Sequence, residues 1–255
     1  MFNESLSRTI KFWTMIGIVV IILIVAGIIM LKYNIEGEKK LPYKLTKITI
    51  ISTAEGIEDT TNEGDGNAWN LDIYQINDIY ISIDKTEYAD KNQLLTGVRI
   101  ENIKIIKQPN IGAIKTYMPN SLDGRIYNYV DEYLVENKLQ YIGASKSNSR
   151  TLEVGNQGGI ALISFVNTEL GKFETIQENI EIKHDGTLIS KIKDTQNNIE
   201  EQDLKFSVSF DLIIQIDNIE YKGTINLELP CGNIIENGTA TKEITDFSDV
   251  IFKRN

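Results

Sequence analysis

The sequence predicts a mainly β protein, with a single N-terminal transmembrane α-helix followed by an antiparallel β-sandwich-like soluble region. Three observations predict it. The twenty residues between Lys11 and Lys32 hold no charge and no proline. From Lys44 onward, short segments alternate apolar and polar side chains, with turn residues between them. Isoleucine, threonine, asparagine and aspartate are plentiful while prolines number four, a composition of ordered strands rather than of a disordered stalk.

Residues 1–11 read as a short N-terminal tail. The run FWTMIGIVVIILIVAGIIM, from Phe12 to Met30, would extend about 30 Å as a helix, the thickness of a bilayer's hydrocarbon core. A transmembrane helix is therefore expected over 12–33, in contact with the lipid bilayer. A cleavable signal peptide would have a shorter apolar region, of about 7–15 residues, ending in a small-x-small site that this chain lacks. A core helix of a β-rich domain would not be apolar all round. Trp13 and Tyr33 suit the two membrane interfaces. No GxxxG is present, so no specific helix dimer is indicated.

Orientation rests on competing signals. Arg8 and Lys11 precede the helix, whereas Lys32, Lys39, Lys40, Lys44 and Lys47 end or follow it. A literal count of Lys and Arg puts the C-terminal side in the cytoplasm, yet large domains translocate largely regardless of charge. A single cysteine in 255 residues is compatible with an exported protein without disulfides. The expected placement is a single-pass membrane protein with its soluble domain outside the cytoplasm. The alternative is an accessory subunit of a membrane complex whose domain faces the cytoplasm.

Residues 1–33 hold three of the 26 basic and one of the 36 acidic side chains, which leaves the remainder 23 basic and 35 acidic, a formal charge of −12. That balance argues against a nucleic-acid or anionic-lipid surface, since both need clustered Lys and Arg.

Residues 34–40 read as a short polar linker and 41–255 as the β-sandwich region, with a possible subdivision near 143–150. Ile73, Ile79, Ile81 and Ile83 fall at inward positions of one strand. Val98, Ile100, Ile103 and Ile105 do so in the next, with a slip between Ile100 and Ile103 that a β-bulge would explain. Pro109 ends that strand. RIYNYVDEYLVENK, starting at Arg125, has a helical spacing of apolar residues and predicts a short helix. GGIALISFVN reads as a fully buried strand. Two hairpins are expected, around Asp185-Gly186 and around Asp217-Asn218.

Signatures of chemistry are weak. His184 is the sole histidine and has no nucleophile beside it. Cys231 lacks the basic neighbour that would activate a thiol. Asp59, Glu63 and Asp65 lie in a glycine-rich acidic loop, the kind of oxygen-rich segment that calcium favours, although their spacing does not fit an EF-hand. No cofactor signature is found. Tyr117, Tyr127, Tyr129, Tyr133 and Tyr141 are five of eleven tyrosines within 25 residues; if exposed, they could stack against a protein or glycan partner. The functional expectation is a membrane-anchored, non-enzymatic protein that binds or scaffolds a partner at the cell envelope.

Overall fold

The computed structural model describes residues 2–58, 69–118, 134–142, 158–175 and 199–255. Among these residues a long helix, α1 (Phe2–Glu36), precedes ten strands. These are β1 (Tyr43–Glu58), β2 (Trp69–Lys85), β3 (Leu95–Lys107), β4 (Ala113–Tyr117), β5 (Lys138–Ile142), β6 (Gly158–Thr175), β7 (Phe206–Ile216), β8 (Ile219–Leu229), β9 (Thr239–Ile244) and β10 (Lys253–Arg254). They form two five-stranded antiparallel sheets, one ordered β4-β6-β2-β1-β9 and the other β10-β8-β7-β3-β5. The fold is the expected sandwich. Strands from both sides of residues 143–150 pair within both sheets.

Alternation explains the core. β7 reads FSVSFDLIIQI, and Phe206, Val208, Phe210, Leu212 and Ile214 all point inward and are buried. They meet Ile48 and Ile50 of β1, Ile79, Ile81 and Ile83 of β2, and Ile163 and Phe165 of β6 in one cluster. Each side chain of this size gains roughly 1.5–3 kcal/mol from leaving water, so the facing rows dominate the stability. The slip in β3 is real. Its pairing with β7 shifts between Glu101 and Lys104, and Asn102 takes a positive φ of 54°. Ile103 and Ile105 end up half-buried against the core edge. The β7–β8 hairpin turns through Asp217 and Asn218 with Asp217 at φ 51°. The Asp185-Gly186 hairpin, residues 125–133 of the expected helix and the 143–150 loop lie outside the described residues. The rest of that segment, 134–138, is not helical, because Leu134 bridges to Tyr117 and Lys138 opens β5, so sheet pairing overrides the helical spacing.

The first sheet is taller than the second. β1, β2 and β6 run 16, 17 and 18 residues, against 11 for β7 and β8. The far half of its inner face carries a second, smaller cluster of Ala54, Ile73 and Leu170, covered by Ile199, Leu204, Ile234 and Ile235. A belt of buried polar side chains, Ser52, Gln75, Asn77 and Asn167, separates the two clusters.

Two boundaries differ from the sequence reading. The tail is helical, since α1 begins at Phe2, and the helix continues to Glu36. The segment read as a polar linker is docked: Gly37 is buried, and Glu38 N–H donates to Phe252 O. Periodicity could not show this, because the contacts that order the segment come from the opposite end of the chain.

Candidate functional site

The site that the fold builds lies at the base of the sandwich, where α1 enters it. α1 stops because Gly37 adopts a left-handed conformation, φ 66°, and returns its N–H to Tyr33 O at 2.8 Å. This is a glycine C-cap. The next residue is held by the C-terminal segment, since Glu38 N–H donates to Phe252 O at 2.8 Å. The Tyr33 hydroxyl in turn accepts from Arg254 N–H at 2.8 Å. Gly37 is packed so closely that a Cβ there would sit 2.5 Å from Phe252 O. The helix end and residues 252–254 are thus bonded main chain to main chain and through one tyrosine.

The β2–β3 loop braces the same end. Thr86 N–H donates to Pro42 O at 2.9 Å, and the Tyr43 hydroxyl donates to Gln93 O at 2.8 Å. β10 pairs with β8 through Lys253–Lys222 and Arg254–Tyr221. Phe252 rests on the space left by Gly223, where any Cβ would meet its ring at 2.9 Å.

β9 leaves β1 at the Ile48–Ile244 pair. Before that point the edge of β1 faces the crossing segment 245–252 instead of a strand. The result is an open pocket of about 370 Å³. Leu41, Leu45, Phe247, Val250 and Phe252 make its apolar wall, and Lys44, Thr46 and Thr245 make its polar rim. An apolar wall with few polar groups at its mouth suits a hydrophobic group that carries a polar or anionic end.

The other polar clusters serve the fold. On β3, Arg99 grips Glu220 of β8 with two parallel bonds, Nη1 to Oε1 at 2.7 Å and Nη2 to Oε2 at 2.9 Å. It also contacts Glu101. Arg99 holds the Glu220 carboxyl down at about 2, far below its ordinary 4.5. In the polar belt, Ser52 Oγ–H donates to Asn77 Oδ1 at 2.8 Å, and Asn77 Nδ2 donates to Phe165 O at 3.1 Å. Ser52 Oγ accepts from Cys231 N–H at 3.0 Å. Asn167 Nδ2 donates to Ile111 O at 2.9 Å. Gln75 Nε2 and Asn167 Oδ1 have no hydrogen-bond partner among the described residues.

Of the residues singled out from sequence, Tyr117 and Tyr141 are buried, at 3% and 4% exposure, on strands of different sheets. Neither presents an exposed ring, contrary to what a stacking surface would require. The Tyr141 hydroxyl donates to Leu162 O across the sandwich, and burial pushes its pKa up. The hydroxyl finds its acceptor in the opposite sheet, so the ring serves packing. Tyr127, Tyr129 and Tyr133 lie outside the described residues, as do Asp59, Glu63, Asp65 and His184. Among the described residues, no three His, Cys, Asp or Glu side chains come together to hold a metal. The Cys231 thiol is half-buried and lies 3.3 Å from Ala240 O.

Sequence reading missed Tyr33 as a structural contact, and it missed Phe247, Val250, Phe252 and Arg254 altogether. The apolar run Val250, Ile251, Phe252 before Lys253-Arg254 was the available signal, too short to carry a period. Set beside known proteins, the chain matches no family model, no curated sequence and no solved structure. Its function is therefore read from the geometry.

Proposed function

We propose that this is a membrane-anchored, non-enzymatic protein that holds a β-sandwich close to the bilayer outside the cytoplasm, where it binds or scaffolds a partner at the cell envelope. One observation carries the proposal. The segment Lys11–Glu36 is long and apolar enough to cross a membrane, and none of its most apolar stretch is buried. Some twenty apolar side chains left in water would be costly, at roughly 25 cal/mol per Å² of apolar surface, so another medium must cover them. A bilayer matches the length. The pocket at the base supports a binding role, since it opens beside the helix end and is walled by apolar side chains.

Flotation with lipid vesicles tests the anchor. The full chain should float, and a variant lacking residues 1–30 should stay soluble and folded. That cut keeps Tyr33 and Gly37, which belong to the domain's own hydrogen bonds. A truncated protein that still floats would overturn the helix as the anchor.

A second reading has its own support. Five lysines end or follow the helix while Arg8 and Lys11 precede it, which favours a cytoplasmic domain by the positive-inside rule. Labelling decides between the two. In a Cys231→Ser background, Lys107→Cys at the exposed end of β3 should react with an impermeant maleimide in intact cells if the domain is outside, and only after lysis if it is inside.

A further inference from the structure

We infer that the base of the sandwich is a docking surface for the phosphate headgroups of anionic lipids, built by Lys40, Lys44, Lys253 and Arg254 around the end of α1. The inference rests on the anchoring proposed above and adds to it a lipid class and a set of residues. The soluble part as a whole is acidic, at −12, and composition alone speaks against such a surface. At the base the fold gathers cations from two distant segments, with the Glu38 carboxylate among them. The bonds from Glu38 to Phe252 and from Arg254 to Tyr33 bring the C-terminal Lys253-Arg254 pair to the lysines that follow the helix. These four cations lie more than 200 positions apart in the chain at the extremes, and no sequence window contains them.

Two features point outward to an anion. Lys40, Lys44 and Arg254 are exposed and Lys253 is half-exposed. Among the described residues none of the four makes a salt bridge, whereas neighbouring Lys39 is paired with Glu36 at 2.8 Å. Lys253 also stands directly opposite Lys222 in the β10–β8 ladder. Lys222 is itself offset by Asp211, whose Oδ2 lies 3.7 Å from its Nζ, which leaves Lys253 as the unpaired cation of the two among the described residues. Apolar side chains share the surface: Ile251 is 41% exposed beside Gly37, and Leu41 and Phe252 wall the pocket whose rim is Lys44. Cations interleaved with apolar groups match a membrane interface, where headgroup phosphates lie above acyl chains. Because the helix end is hydrogen-bonded to residues 252–254, this surface lies at the end of the helix that would enter the bilayer.

The test uses the full chain in nanodiscs of phosphatidylcholine alone or mixed with phosphatidylglycerol, read by amide hydrogen exchange over residues 37–44 and 250–255. The expected result is slower exchange of both segments in the mixed discs, lost in high salt. The double variant K253E/R254E should lose it too. That variant keeps the β10 main-chain pairing, and an unchanged Tm in detergent would show that it is folded. Equal exchange in the two lipids, or a phosphatidylglycerol effect that survives the charge reversal, would overturn the inference. So would the same protection produced by inorganic phosphate in phosphatidylcholine discs, which would assign the site to a soluble anion. Failure to incorporate into either disc would instead overturn the anchoring, and this inference with it.

Discussion

The base of the sandwich and the far half of its taller sheet solve opposite problems. At the base, a helix whose apolar stretch packs against none of the described residues is joined to the domain. Main-chain bonds from the C-terminal segment do this, and the side chains around them stay open to the outside. In the far half, β1, β2 and β6 outrun the second sheet, and the exposed inner face has to be closed. Segments 199–204 and 234–237 close it with a few apolar side chains, above a belt of amides and a hydroxyl that bond one another. The base therefore leaves cations and apolar side chains exposed, and the far half bonds most of its polar groups internally. Polar residues that satisfy each other define register.

Cutting the belt should do the most damage. Asn77→Ala removes the acceptor of Ser52 and the donor to Phe165 O and leaves a void between the two clusters. It should lower global stability by about 3 kcal/mol, read as a shift in denaturant midpoint with an unchanged slope. A loss near zero would mean that the belt is not a structural network.

Breaking the base should cost less and stay local. Gly37→Ala forces a Cβ to 2.5 Å from Phe252 O in a left-handed residue, a cost of about 2 kcal/mol. Hydrogen exchange should rise at 37–44 and 250–255 while β7 remains protected. Uniform loss of protection would show that base and core unfold as one unit.

Acid separates the ionic network from both. The Glu220 carboxyl titrates near 2 when folded and near its ordinary value when unfolded. Its contribution is complete above about pH 4.5 and is lost as pH falls toward 2. With the carboxylate part-exposed, the expected loss is about 1 kcal/mol. Glu220→Gln should flatten that portion of the stability–pH curve, and a curve of unchanged slope would remove Glu220 as its source.

The smallest effect is expected at the exposed Lys47–Glu243 pair, 3.0 Å apart on β1 and β9. Lys47→Ala should change stability by less than about 0.5 kcal/mol, measured as Tm at low and high salt. A larger, salt-sensitive loss would show that the β1–β9 edge depends on charge rather than on its ladder.

Local pattern alone determined the strands and their faces. The inward isoleucines 73, 79, 81 and 83 are buried as their alternation required, the slip after Ile100 is a bulge, and the turn at Asp217-Asn218 joins β7 to β8. The uncharged run determined the helix, because a stretch that long and apolar has few places to go. These signals are legible because side-chain period and turn chemistry act over a few residues. Tertiary structure decided the rest. Whether Tyr141 faces solvent or Leu162 O depends on the opposite sheet, so tyrosine density could not reveal it. The polar belt exists because β2 and β6 align Asn77 with Phe165 and Gln75 with Asn167. The base exists because residues 33–44 meet residues 247–254, and a contact of that separation leaves no periodic trace in either segment.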